Sequence, residues 1–169
     1  MAPKEFMVVA GEPSGDLLAA DLVGALRDEL AAAEGEVTTF AQPLRASLEP
    51  RFFGAGGPAM AGAGVELLFD MTRHAVVGLV LKKLLTFRGL LQRLVQAALE
   101  RQPHAIICVD FSGFNLRLAR AIRHAVARHR RPFFNWNPKI IQFVSPQVWA
   151  SRPGRARWLE RDVDLLLVI

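Results

Sequence analysis

Apolar positions come in short blocks cut by glycine, proline or charge, and the blocks alternate between two spacings. Phe6–Ala10 is a continuous apolar run closed by Gly11, which predicts a short buried strand. The next segment repeats at helical spacing through Leu18, Leu22, Ala25, Leu26 and Leu30, with Ser14 or Asp16 placed to cap its start. From Ala31 to Pro50 no single period holds, which predicts a loop with room for one short element. RFFGAGGPAM, residues 51–60, reads as a second strand entering a tight glycine turn at Gly54, Gly56, Gly57 and Pro58, and ELLFDM as a third apolar segment. Helical spacing returns from Leu79 to Leu99, where Leu84, Phe87, Leu91, Leu94 and Ala98 share a face, and Gln102-Pro103 ends it. AIICVD, residues 105–110, is apolar up to its aspartate, as expected of a strand buried on both faces. Asn115–His129 predicts another helix with Leu118, Ala119, Ile122 and Val126 inward. IIQFVSPQVWA gives a further strand and loop, RARWLERD a short helix, and DLLLVI a final strand.

Strand, loop and helix in alternation predict an α/β fold, a largely parallel sheet with flanking helices. Such sheets carry their sites beyond the carboxyl ends of the strands. Glu12, the Gly54–Pro58 turn, Asp110 and the Ser145–Trp149 stretch all follow strand candidates, so they are expected to converge although distant in sequence. DLLLVI stops inside an apolar strand, which reads as a chain built to continue and as an open edge that invites self-association.

Composition narrows this further. At 169 residues, 51% hydrophobic and 22% charged, the chain has the means to bury a continuous core, and its composition is that of a soluble globular domain rather than a disordered one. The formal charge of +5 favours anionic partners. A single cysteine, Cys108, rules out an internal disulfide framework; lying in an apolar run, it reads as a buried strand thiol. No leader of signal-peptide form and no apolar run of ~20 residues is present, so a membrane role would be peripheral.

The first loop matches neither the dinucleotide fingerprint nor the Walker pattern. Gly11 and Gly15 permit a tight turn or a close backbone approach to a ligand. Glu12 is either a solvated helix-start carboxylate or a site residue orienting a sugar hydroxyl or a basic group; it would repel a bare phosphate. Asp110 either caps the next turn or acts as general base on an acceptor hydroxyl, which is a poor nucleophile until its proton is taken. Asn115 either orients substrate or caps the following helix, and Ser145, Gln147 and Trp149 either line a pocket or pack. The four histidines show no zinc-like clustering, and His74 alone stands near the glycine-rich middle of the chain. AVVGLVLKKLLTFRGLLQRL describes either a helix covering the sheet or a surface lying on anionic lipid. The basic-aromatic run Arg130–Phe134 is accompanied by no nucleic-acid-binding signature, so no nucleic-acid partner is expected.

Taken together, VVAGEPSGD, FFGAGGPAM, GVELLFDMTRHAVVGLV, ICVDFSGFN and VSPQVWASRPGR resemble the lipid-A-disaccharide synthase family, in the family's order and across nearly the whole chain. The resemblance implies the N-terminal, acceptor-side Rossmann-like domain of a two-domain GT-B glycosyltransferase, over residues 1–169, with the C-terminal UDP-sugar-binding domain absent from this sequence. It implies an inverting enzyme that joins UDP-2,3-diacylglucosamine to 2,3-diacylglucosamine 1-phosphate and releases UDP, in lipid A biosynthesis. It also implies a cytoplasmic location, peripheral on the anionic face of the inner membrane, and is compatible with a homodimer. By residue match it assigns Asp110 as catalytic base and Glu12 as its neighbour in the site. Gly11, Ser14, Gly15, Asn115, Ser145 and Trp149 would bind substrate. Val77, Leu79, Val80, Lys82, Lys83, Leu84, Phe87 and Arg88 would form the membrane or acyl-chain surface. No metal or other cofactor is called for. Ser112, Ser151 and Leu81 depart from the family pattern at positions usually held by proline, tryptophan and glutamate. The competing reading is a non-catalytic α/β module that binds a nucleotide-sugar, a lipid or a partner protein.

Overall fold

The computed structural model describes residues 3–35, 49–71, 80–132, 134–144 and 154–168. Their elements in chain order are β1 (Glu5–Ala10), α1 (Pro13–Gly35), β2 (Arg51–Gly56), α2 (Pro58–Gly62), β3 (Glu66–Asp70), α3 (Val80–Arg101), β4 (Ala105–Val109), α4 (Ser112–His129), β5 (Lys139–Phe143), α5 (Gly154–Asp162) and β6 (Leu165–Leu167). The strands form one sheet in the order β3-β2-β1-β4-β5-β6, and each neighbouring pair runs parallel. The α/β fold with a parallel sheet and flanking helices is therefore the observed one.

Alternation along the strands explains why both faces are apolar. Met7 and Val9 of β1 join Phe53, Ile106, Cys108 and Ile140 in a core closed by Leu90, Leu94 and Ala98 of α3 and Phe114, Leu118 and Ile122 of α4. Val8 and Ala10 point the other way, with Phe52, Ile107 and Val109, into a core closed by Ala19 and Val23 of α1 and Met60 of α2.

The chain leaves β1 to build β2 and β3 on one side and returns to build β4, β5 and β6 on the other, so the order reverses between β1 and β4. Ligand crevices of open α/β sheets lie at such a switch, beyond the strands' carboxyl ends. Ala10 pairs with Val109, which sets Gly11 and Asp110 level with each other at that point.

Local readings shift in four places. Helix α1 does not stop at Ala31 but runs to Gly35, because the alanine-rich AAAE has the highest helix propensity available. On its inner face Ala19 and Val23 are fully buried, whereas Ala25 is exposed. Gly54 and Gly56 lie inside β2 rather than in a turn; a Cβ on Gly54 would stand 1.9 Å from the Val8 carbonyl oxygen, so only glycine lets β2 approach β1 there. The last strand is confined to Leu165–Leu167. Asp164 precedes it and binds Ile140 twice, donating its N–H to Ile140 O at 2.8 Å and accepting the Ile140 N–H at Oδ2 at 2.7 Å.

Candidate active site at the sheet switch point

The turn from β4 into α4 is strained. Asp110 has φ 48° and Phe111, the N-cap of α4, has φ 39°. Two consecutive non-glycine residues in the left-handed region cost of order 1–3 kcal/mol each, and neither side chain caps the helix for compensation. The backbone is held instead by its surroundings. The Asp110 N–H donates to Phe143 O at 2.9 Å. The Asp110 carbonyl accepts Asn115 Nδ2 at 2.9 Å and Gln142 Nε2 at 3.3 Å. Asn115 Nδ2 also reaches Val109 O at 3.2 Å and Val9 O at 3.5 Å, linking the ends of β4 and β1. The Asp110 side chain remains partly exposed above this framework.

The loop between β1 and α1 lies against that turn. Gly11 is buried under the Phe111 ring: a Cβ on it would stand 2.1 Å from Phe111 Cδ1. Gly15 faces Asp110, with an added Cβ 3.6 Å from Asp110 Cβ. Glu12 precedes Pro13, the first residue of α1; its carbonyl accepts the Asp16 N–H at 2.9 Å, and its side chain is exposed, as is that of Ser14. Asp16 does not cap its own helix. It is buried, and its carboxylate accepts N–H groups of Gly57 at 2.7 Å, Ala59 at 2.9 Å and Met60 at 3.1 Å, so it caps α2 from α1. One side chain thereby fastens the β1–α1 loop to the turn after β2.

Beyond Phe111 opens a cavity of about 600 Å³ between α3 and α4. Phe87, Phe111 and Phe114 form its aromatic wall, with ring centroids 5.8–6.0 Å apart, and Leu91 extends it. Arg88 and Arg117, both exposed, stand at its border. An apolar space flanked by two cations suits a ligand with hydrocarbon and an anionic group.

The sequence-predicted residues thus divide. Gly11, Gly15, Asp110 and Asn115 come together at the switch point, and Glu12 and Ser14 are exposed on the segment that carries the two glycines. Asn115 is fully buried, three residues inside α4, and its amide nitrogen serves backbone carbonyls rather than the helix cap. Phe87 and Arg88 line the cavity. Val80, Lys82, Lys83 and Leu84 belong to α3, with no description of their side chains. Val77, Leu79, His74, Ser145, Gln147, Trp149 and Ser151 lie outside the described residues. Cys108 is buried in β4, and burial pushes its thiol up to about 12. Gln142, Phe111, Arg117 and the long reach of Asp16 are additions that spacing along the chain did not single out. Among the described residues no group of three or more His, Cys, Asp or Glu is placed to hold a metal ion, and no helix is long and apolar enough to cross a membrane.

Comparison with known proteins bears on this arrangement. A family model described as lipid-A-disaccharide synthetase matches residues 6–169. The lipid-A-disaccharide synthase of Myxococcus xanthus is 38% identical over 169 residues, covering 99% of this chain and 37% of that protein. Those of Rhodospirillum centenum and Geobacter sulfurreducens are 37% and 38% identical, covering 100% and 96% of this chain and 36% of each relative. The chain therefore spans little more than a third of the length of these curated relatives.

Proposed function

The chain belongs to the lipid-A-disaccharide synthetase family, and from that premise we propose that it forms the acceptor-side half of an inverting glycosyltransferase. The reaction joins the sugar of UDP-2,3-diacylglucosamine to 2,3-diacylglucosamine 1-phosphate and releases UDP. The supporting observation is the position of Asp110: a partly exposed carboxylate at the carboxyl end of β4, at the sheet's switch point, beside the Glu12 loop and the aromatic cavity.

In this reading Asp110 takes the proton of the acceptor's 6-hydroxyl as that oxygen attacks the donor's anomeric carbon from the side opposite UDP. The new bond forms as the bond to UDP breaks, which inverts the centre. Glu12 orients sugar hydroxyls nearby. The Phe87–Phe111–Phe114 wall receives hydrocarbon of the acylated sugar, and Arg88 and Arg117 meet its phosphate. Donors that stabilise the leaving diphosphate must come from the part of the relatives that this chain does not span. The apolar and basic sequence at the start of α3 supports a peripheral position on an anionic membrane surface, and the family reading puts that surface on the cytoplasmic side.

The test is disaccharide formation by the full-length protein carrying this domain. Asp110→Asn keeps size and shape but removes the base, and turnover is expected to fall by about 10²–10⁴-fold. Near-normal turnover in a folded Asp110→Asn protein removes Asp110 from this role.

A further inference from the structure

We propose that Asn115 and Gln142 are positioning residues: two buried amides, one from α4 and one from β5, that hold the carbonyl of Asp110 and so fix where its carboxylate stands. The inference rests on the reading of Asp110 as the base.

Three non-glycine residues at the carboxyl edge of the sheet have left-handed backbones: Asp110, Phe111 and Val144, the last at φ 73°. For a β-branched residue such as Val144 this is an outlier that its surroundings must impose. Gln142 lies between the two turns. Its Nε2 donates to the carbonyls of Asp110 at 3.3 Å, Phe143 at 3.4 Å and Val144 at 3.3 Å. Asn115 approaches from α4, with its Nδ2 on the carbonyls of Asp110, Val109 and Val9. The Asp110 carbonyl is thus gripped from β5 and from α4, while its N–H is held by Phe143 O. With both peptide groups pinned, the Cα–Cβ direction of Asp110 is set. Relaxation to an ordinary right-handed φ of about −63° would swing the carboxylate away from the Glu12 loop.

The amides cannot be turned round. Each nitrogen faces a cage made only of carbonyl oxygens, and a rotated amide would point its own oxygen at them. Nor does stability explain them. Asn115 and Gln142 are 0% and 1% exposed, and neither Asn115 Oδ1 nor Gln142 Oε1 receives a hydrogen bond. Such orphaned oxygens are a burden that an apolar residue of the same size would avoid, although it would also take a donor from the carbonyls the amides serve, so the two effects offset. Gln142 stands in a strand whose other buried position on the same face, Ile140, is aliphatic, so packing alone asks for an aliphatic side chain there too. What the two amides provide, and aliphatic residues cannot, is the strained turn.

The experiment compares Gln142→Met, Asn115→Ser, Asp110→Asn and the double variant Gln142→Met/Asp110→Asn in the full-length protein, with thermal unfolding as the check on folding. Gln142→Met keeps length and removes the donor. Its kcat is expected to fall by about 10- to 100-fold through misplacement of the base, with KM within about twofold and the thermal midpoint within about 5 °C of wild type, because losing the orphaned Oε1 offsets the lost donor. Asn115→Ser, which frees the same carbonyl from the other side, is expected to lower kcat in the same way. In the Asp110→Asn background Gln142→Met should lower kcat no further, because there is no base left to misplace. Folded Gln142→Met with wild-type kcat, a loss confined to KM, or a full additional loss in the double variant each overturns the positioning role while leaving the base assignment intact. Normal turnover by Asp110→Asn overturns the base assignment, and the clamp's role with it.

Discussion

Replacing Asp16 by alanine removes three hydrogen bonds at once, at 2.7, 2.9 and 3.1 Å, from the amides of Gly57, Ala59 and Met60. Hydrogen bonds to a charged acceptor contribute about 1.5–3 kcal/mol each, so a simple sum is about 4.5–9 kcal/mol. Two effects reduce it. The Ala59 bond is only part-buried, so water can replace the lost oxygen there, and the variant no longer has to desolvate a carboxylate whose residue is 3% exposed. The amides of Gly57 and Met60 remain buried and unmet, which leaves a net loss of about 3–4 kcal/mol. Against a typical domain stability of about 5–15 kcal/mol, that is a large fraction. With a urea slope near 2 kcal/mol/M the midpoint falls by about 1.5–2 M. Asp16→Asn keeps one acceptor oxygen and turns an NH₂ toward the remaining amides, so it should fall between wild type and Asp16→Ala. Asp21→Ala, an exposed carboxylate in the same helix, is the control and should stay within about 0.5 kcal/mol of wild type. Urea unfolding of the 169-residue chain followed by far-UV circular dichroism measures all four proteins. If Asp16→Ala unfolds with Asp21→Ala, the carboxylate does not hold α2 to α1.

Two further outcomes follow from buried or paired groups. At pH 8 a Cys108 thiol raised to about 12 by burial carries on the order of 10⁻⁴ thiolate, roughly 10³-fold less than an ordinary thiol; labelling by a thiol reagent should be slow in the folded chain and fast in urea, and native labelling within tenfold of the unfolded rate contradicts the burial. Burial works to raise the Asp164 carboxyl, but the Ile140 amide, Arg123 and Lys139 together outweigh it and leave it below its ordinary value. Its stabilising contribution is thus fully present above the unfolded value of about 3.9 and is lost as pH falls through the folded value. The thermal midpoint of wild type should decline more steeply below that pH than that of Asp164→Asn, and parallel curves count against the pairing.

Much of the fold was legible because a sheet buried on both faces writes itself as continuous apolar runs, such as FMVVA and AIICV, while α3 and α4 carry helical spacing. The meeting of the β1–α1 loop with the turn at Asp110 was legible for a related reason: both follow such runs, and parallel strands bring their carboxyl ends to one edge. Asp16 was misread because a carboxylate in the first turn of a helix is assigned by local rules to that helix. Its amides are 41 to 44 residues further on. Gln142 was invisible because a polar residue within an apolar strand carries no sign of which carbonyls it serves. The left-handed turn at Asp110-Phe111 had no glycine to announce it. Each miss is a long-range constraint acting on a residue whose local sequence favours another role.

The same geometry explains the carboxylate where many nucleotide-binding folds place another glycine. A helix N-terminus attracts anions through its free N–H groups and dipole. At α1 both attractions are blunted. Pro13 opens the helix and has no N–H to offer, and the Glu12 carboxylate stands just ahead of it. Free positive charge lies elsewhere, on Arg88 and Arg117 at the border of the aromatic cavity. The candidate site is therefore polarised: the Asp110 carboxylate at the switch point, guanidinium groups beyond Phe111. Under the proposed function, a ligand carrying hydroxyls at one end and hydrocarbon with a phosphate at the other would bind in one direction only. In the proposed reaction that direction turns the sugar hydroxyl toward Asp110 and keeps the phosphate away from it, which a symmetric phosphate-binding loop could not do.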